Sequence, residues 1–394
     1  MIVECLNNRI FMPLLFLSIF LFLCSILIFF HLSIVLLWKI SIVTTEFGHW
    51  FFILPFAVVV YCRFQNPLYG TATVISLLTI AILLFPSFSA MTIARSLPER
   101  IQKSFGGNDN IIHSKSPFEW KRLWFDPSVR KVQKEKIIYA RHGGEELYFN
   151  FFRARSETDS SGPCIIVIHT GGWDNGSPEE FETMNHYLAS RGYAVAAISY
   201  RFAPKWKWPA QKEDAFAAMS FLKKNAEKLG IDSSRFVLFG RSAGGQIAEA
   251  VAYSANDSSI KGCIAFYAPA DLNFAYEHLS PEPDILDSKT LLENYLGGSQ
   301  QSARPNYDDA SSYNHVSSTT PPTLLIHGAK DPLTWYRQSE RLSKKLTDHS
   351  VPNLYIELPW ATHAFDFNFN GPAGQLSRFA MEQFLKIVTK HDSL

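Results

Sequence analysis

A serine, an aspartate and a histidine can together turn an unreactive hydroxyl into a nucleophile for acyl transfer, and this sequence offers the three in a usable order. The serine is Ser242, in Gly240-Arg241-Ser242-Ala243-Gly244, where the apolar run RFVLFG (235–240) meets the helix-forming run AGGQIAEAVAY (243–253). A nucleophile displayed on a sharp strand-to-helix turn needs small flanking residues, since a side chain there collides with the folded-back chain. A bare GxSxG also occurs in ordinary glycine-rich turns; the flanking strand and helix select the nucleophile reading. Asp331 follows the run PTLLIHG (322–328) in Gly328-Ala329-Lys330-Asp331, and His363 lies five residues beyond Leu358 in NLYIELPWATHAFDFN (353–368). Nucleophile, acid, base is the chain order that a strand-to-helix serine requires. Taken alone Asp331 reads as a helix cap, and it gains its meaning from its neighbours. Asp366 is a rival acid, but it stands too close to His363 in sequence to match that order.

Acyl transfer also needs preset donors for the charge that develops on the carbonyl oxygen. His169-Thr170-Gly171-Gly172-Trp173, directly after the run CIIVIH (164–169), can supply them: Gly171 and Gly172 let backbone N–H groups approach the oxygen closely, and Ala243 adds the N–H next after the nucleophile. Trp173, Phe202, Phe365 and Phe367 are candidate substrate-binding walls, although with 32 phenylalanines in the chain core packing competes for each of these rings.

These groups must be positioned by a sheet. Short β-branched runs separated by amphipathic stretches of helical length predict strands at 137–141, 146–152, 164–169, 193–200, 235–240, 262–268, 322–328 and 353–358. The first two flank Gly143-Gly144 and read as an antiparallel edge hairpin; the others are apolar on both faces, as covered parallel strands are. Helices are expected near 178–191, 210–228, 243–254, 335–347 and 374–389. The fold class is therefore α/β, a mostly parallel eight-stranded sheet with helices on both faces. The stretch 269–321 exceeds an ordinary connection, contains a short helix at 287–298, and is expected to form a lid or pocket insertion.

The first 93 residues have a different composition. Ile10 to Trp38 carries no formal charge, Phe47 to Cys62 is a second apolar run interrupted by Pro55, and Tyr69 to Ile93 is a third. The first run exceeds the roughly 20 residues that cross a bilayer. We expect a membrane anchor of two to three transmembrane helices over 1–93, with Trp50, Tyr61 and Tyr69 as interfacial aromatics, a polar linker or cap over 94–134, and a catalytic domain over 135–394. Lys39, Arg95, Arg100 and Lys103 outnumber Arg9 and Arg63, which places the catalytic domain on the cytoplasmic side. The membrane lipid bilayer is thus an expected partner. A net charge of +1 gives no footprint for nucleic acid. Five scattered cysteines form no CxxC or Cys/His spacing for a metal.

On these residues the chain resembles the hormone-sensitive-lipase-like branch of α/β hydrolases, which includes bacterial acetyl esterases and arylacetamide-deacetylase-like and isoprenylcysteine-methylesterase-like enzymes. HTGGW (169–173) is similar to the family's HGGG motif, with Thr170 in place of the first glycine and the two donor glycines kept as Gly171 and Gly172. YRFAP (200–204) with Pro209, Ala210 and Asp214 resembles the segment YRLAP…PA…D, and by that resemblance Arg201 and Asp214 form a structural ion pair. SSYNHVSSTTPPTLLIHGAKDPL and WATHAFDFNFNGPAGQ resemble the acid and base neighbourhoods. The resemblance spans about 135–390 and implies hydrolysis of a small-molecule or lipid carboxylic ester through an acyl-enzyme, with no cofactor and no metal. Two alternatives stand beside it: an amide or formamide hydrolase with the same three residues, and a catalytically silent membrane protein that binds ligand in a hydrolase pocket. A transporter is excluded, because His31 and His49 are almost the only ionisable residues in the apolar runs.

Overall fold

A computed structural model describes residues 2–32, 34–64, 70–107, 115–125, 129–155, 161–278 and 284–390, and the side chains of 2–11 lie outside that description, as does Tyr69. The apolar runs after residue 133 pair into one eight-stranded sheet: β1 (Lys134–His142), β2 (Glu145–Phe152), β3 (Gly162–Ile168), β4 (Ala194–Ile198), β5 (Ile231–Arg241), β6 (Ile260–Phe266), β7 (Thr323–Gly328) and β8 (Asn353–Leu358). Their order is β1-β2-β4-β3-β5-β6-β7-β8. Gly143 and Gly144 turn the β1–β2 hairpin with φ of +55° and +84°, β2 runs antiparallel to β4, and every later pairing is parallel.

Alternation along the strands explains why both faces are covered. Cys164, Ile166 and Ile168 of β3 enter one apolar layer, and Ile165 and Val167 enter the other. From β3 the chain moves to β4 on one side, then returns past it to β5 on the other. That reversal leaves a crevice at the carboxyl ends of β3 and β5, where ligands bind in open sheets of this kind.

Among the described residues, five helices lie between residues 2 and 105: α1 (Ile2–Ile26), α2 (Val35–Glu46), α3 (Gly48–Phe51), α4 (Ile53–Arg63) and α5 (Gly70–Phe105). Two of them, through Met12–Phe29 and Gly70–Phe105, are long and apolar enough to cross a membrane, and a third span is counted if the pair Val35–Glu46 and Gly48–Arg63, bent by 76°, is one. Phe16 and Phe20 on α1 are 63% and 62% exposed, the outward-facing apolar surface that lipid would cover. Ser18 Oγ and Ser76 Oγ meet at 3.0 Å and join α1 to α5 by a polar contact between otherwise apolar helices.

The expected boundary at residue 93 falls inside α5. With 36 residues this helix is about 54 Å long, well beyond the ~30 Å hydrocarbon core. Its second half has its own apolar stripe: Ala90, Ala94, Leu97 and Ile101, at spacings of four, three and four, are buried in the layer under the sheet. Arg100 Nη2 donates to Tyr355 O of β8 at 2.7 Å, and Phe105 packs edge-on against Phe384 with centroids 4.9 Å apart. Polarity suggested a linker over 94–134 because the outward face of this half is charged, whereas its inward face is core. We expect Leu97→Ala and Ile101→Ala each to cost about 2–5 kcal/mol, read as a lower denaturant midpoint for the eight-stranded domain in detergent micelles. An unchanged midpoint would mean that α5 does not fold with the sheet.

The remaining helices are α6 (Trp120–Trp124), α7 (Glu182–Ser190), α8 (Ala210–Lys224), α9 (Ala226–Leu229), α10 (Ala243–Ser254), α11 (Leu272–Glu277), α12 (Ser288–Leu296), α13 (Arg304–Ala310), α14 (Arg337–Asp348) and α15 (Pro372–Val388). Helices α8 and α10 cover one face of the sheet, and α7, α15 and the second half of α5 cover the other. The short helices α11 and α13 within 269–321 carry too little periodicity to be read from sequence.

Candidate active site

Strand β5 ends at Arg241, and Ser242 turns the chain into α10 with φ +52° and ψ −123°, a conformation costly for any residue but glycine. Close backbone approach fixes the flanking residues. A Cβ on Gly240 would stand 2.0 Å from Gly244 O, and one on Gly244 would stand 2.3 Å from the carbonyl oxygens of Ile168 and His169. The GxSxG glycines are therefore packing requirements of the turn that displays the hydroxyl.

The structure brings Ser242, Asp331 and His363 together from the carboxyl ends of β5, β7 and β8. Ser242 Oγ lies 3.0 Å from His363 Nε2, and His363 Nδ1 lies 2.7 Å from Asp331 Oδ2. A carboxylate can only accept, so Nδ1 carries the proton and Nε2 is free to accept from the serine hydroxyl. Asp331 Oδ1 takes the N–H groups of Leu333 and Thr334 at 2.8 and 2.9 Å. Burial by itself would push this carboxyl up, but the imidazoles of His363 and His327 outweigh it and hold Asp331 well below the usual carboxylate range.

His327, buried on β7, is a part of the site that sequence order did not reveal. Its Nε2 donates to Thr334 O at 2.9 Å and stands 3.2 Å from Asp331 Oδ2, while its Nδ1 meets Ser339 Oγ at 2.8 Å. The signal was its place on the strand, four residues before the acid, where its side chain reaches the same carboxylate. Asp366, the rival acid, is engaged elsewhere: its Oδ2 accepts from Arg241 Nε at 2.5 Å and its Oδ1 from Tyr267 Oη at 2.6 Å. Tyr267 in turn packs against His363, with ring centroids 4.4 Å apart. Asp366→Ala should leave the Arg241 guanidinium buried and uncompensated, at a cost of about 3–5 kcal/mol in stability. Were Asp366 the acid of the site, the same variant would lose activity at unchanged melting temperature, and the two measurements together decide.

The glycine-rich loop after β3 folds beside the serine. Gly171 and Gly172 have φ of +120° and +57°, and a Cβ on Gly171 would sit 2.0 Å from Asn175 O. Among the described residues the N–H groups of Gly171, Gly172 and Ala243 donate to no protein acceptor, and all three residues line the cavity with Ser242. The loop is braced by His169, whose Nδ1 donates to Thr170 O at 2.6 Å and whose ring stacks on Tyr200 at 4.3 Å. Burial lowers His169 to about 4, so the brace is uncharged at neutral pH. Arg201 and Asp214 pair at 2.8 Å behind this loop, away from the serine.

A cavity of about 430 Å³ opens over these residues, within the range of small-molecule sites. Trp173 lines it, with its indole N–H donated to Gln246 Oε1 at 2.9 Å and its ring stacked on Tyr295. Phe202 and Phe365 do not line it, which corrects the sequence expectation. Phe202 packs edge-on against His169 and Tyr200 behind the loop, and Phe365 is buried between Phe266 and Tyr267. The stretch 269–321 instead supplies Ala275, His278, Leu286, Leu291 and Leu292, and the turn after Asp331 supplies Leu333 and Trp335. Trp38 of α2 also lines the cavity. Its place inside an apolar run assigned it to lipid, and nothing in the sequence pointed to the pocket.

The BD-FAE family model matches residues 152–346. Ethyl acetate hydrolase of Pseudomonas putida is 38% identical over 215 residues, covering 52% of this chain and 66% of its own. The probable carboxylic ester hydrolase LipM of Mycobacterium tuberculosis is 28% identical over 274 residues, covering 64% and 62%. The chain spans about three fifths of the length of LipM and of the related M. tuberculosis esterases LipQ and LipC. Among solved structures, a bacterial heroin esterase superposes with a TM-score of 0.58 at 22% identity, covering 67% of this chain and 87% of that one. An arylesterase structure gives a TM-score of 0.55 at 20% identity, covering 76% and 92%.

Proposed function

We propose that this chain, which is an α/β hydrolase, is a membrane-anchored serine carboxylesterase that cleaves a neutral, lipophilic ester through an acyl-enzyme on Ser242. One observation carries the reading: the contacts from Ser242 Oγ to His363 Nε2 and from His363 Nδ1 to Asp331 join residues 121 and 32 positions apart into one hydrogen-bonded line. In this reading the serine oxygen attacks the acyl carbon as Nε2 takes its proton. The tetrahedral oxyanion is held by the N–H groups of Gly171, Gly172 and Ala243, and collapse expels an alkoxide that takes the proton back from His363. Water then repeats the sequence and frees the acid. Asp331 keeps the imidazole in the tautomer that can accept.

The cavity wall supports a neutral substrate. Trp38, Trp173, Leu286, Leu291, Leu292, Leu333 and Trp335 give it an apolar share, and among its described lining residues there is no lysine or arginine and one carboxylate besides the catalytic groups, Asp174. The apolar helices α1 and α5 support the anchor, and Arg95, Arg100 and Lys103 on the membrane-distal half of α5 support a cytoplasmic catalytic domain. The test is labelling by a fluorophosphonate in native membranes, expected in the unmodified protein and lost in Ser242→Ala. A ligand-binding protein without catalysis would leave Ser242 unlabelled. Matched ester and amide substrates distinguish an amidase with the same three residues, and we expect the ester to be cleaved faster.

A further inference from the structure

Helix α2 has two faces with different surroundings. Val35 and Leu36 point outward and are 43% and 65% exposed, as residues facing lipid would be, while Trp38 stands in the wall of the catalytic cavity. Polar contacts hold this stretch to the loops that carry acid and base. His31 Nε2 donates to Ala329 O at 3.0 Å, two residues before Asp331. At the other end Glu46, buried, accepts the N–H of Ala373 on its carboxylate at 3.2 Å, and its backbone oxygen accepts from Asn368 Nδ2 at 2.7 Å, five residues after His363. The Glu46 side chain thereby caps the first turn of α15, accepting a backbone N–H that the helix itself leaves without a partner. Trp38 is thus held in place at both ends by contacts to the catalytic domain itself.

The reaction proposed above says which part of a substrate would meet the ring. His363 must give its proton to the departing alkoxide, so the alcohol part of the ester lies on the imidazole side of Ser242, whereas the carbonyl oxygen points to Gly171, Gly172 and Ala243. Trp38 is on the imidazole side, with its ring edge-on to that of His363 at a centroid distance of 6.5 Å. We infer that Trp38 is the alcohol-side specificity residue of this site, a wall lent by the membrane segment that limits the bulk of the leaving alcohol. The inference rests on the esterase reading.

The experiment uses the full-length protein in detergent micelles and compares kcat/KM across two series: acetates of ethanol, hexanol and 1-naphthol, and ethyl esters of acetic, butanoic and octanoic acid. A single methylene of pocket fit changes discrimination by about tenfold or more, so Trp38→Ala should raise the naphthyl-to-ethyl ratio of the first series by about tenfold and move the octanoate-to-acetate ratio of the second by less than about twofold. Trp38→Phe should shift the first ratio in the same direction by less. Because the indole N–H has no acceptor among the described residues, that variant removes no hydrogen bond, and it decides the matter if Trp38→Ala does not fold. Fluorophosphonate labelling of Ser242 in each variant reports an assembled site independently of selectivity. An unchanged alcohol ratio, or an acyl ratio that moves as far as the alcohol ratio, overturns the inference while the serine chemistry stands. Absence of labelling in the unmodified protein would overturn the esterase reading instead.

Discussion

Ser242→Ala and His363→Ala should each lower kcat on a short-chain ester by about 10⁶-fold, and the double variant should lose no more than either alone. The reason is that the two groups act as one unit. Without the imidazole the hydroxyl stays protonated, and without the hydroxyl the imidazole has nothing to activate. The 3.0 Å contact between Oγ and Nε2 is the geometry behind this. Residual turnover would come from the N–H groups of Gly171, Gly172 and Ala243 acting on bound substrate, so it should survive both substitutions equally. Losses that multiply in the double variant, or a Ser242→Ala protein that keeps more than about 1% of its rate, would place the nucleophile elsewhere.

Asp331→Asn should cost about 10⁴-fold in kcat with little change in the affinity for substrate. An amide at this position can present N–H to His363 Nδ1, which stabilises the tautomer with the proton on Nε2 and blocks acceptance from Ser242. Asp331 receives two backbone N–H groups and faces His327, so the amide that replaces it retains part of the network and the protein folds. Stability changes with a defined sign. The folded carboxyl titrates below its unfolded value, so its contribution is complete above about pH 4 and disappears as the pH falls through the folded value. Acid denaturation curves should therefore show the variant and the unmodified protein converging at low pH and separated above it. Equal stability at neutral pH would mean that the hydrogen bonds to Asp331 are not worth what their number suggests.

The sheet was legible because its strands are short β-branched runs covered on both faces, and each predicted strand overlaps an observed one. The position of Ser242 was legible for a related reason: a tight turn leaves its trace as glycines at 240 and 244, whose missing Cβ atoms the backbone approaches closely. His363 was found from its place after the last strand. The wall of the cavity was not legible. Phe202 and Phe365 look like pocket aromatics beside the motifs, but neighbours in sequence on a turn point in different directions, and both rings go to the packing behind the loops. His327 faces Asp331 only because successive strand residues alternate in direction, a detail that an apolar run such as PTLLIHG conceals. Trp38 and Glu46 could not be found at all: the first apolar run ends at Trp38 and assigns that ring to lipid, Glu46 falls between two apolar runs, and hydropathy does not say what a helix packs against.

The continuity of α5 has a mechanical consequence. A helix that leaves the apolar segment and enters the layer under the sheet without a break transmits orientation as well as position. On the anchored reading, the catalytic domain cannot swivel as it would on a flexible tether, and its mouth keeps a fixed height and heading above one leaflet. The search for substrate then becomes two-dimensional, and encounter rates should scale with the surface density of the ester in that leaflet, not with its bulk concentration.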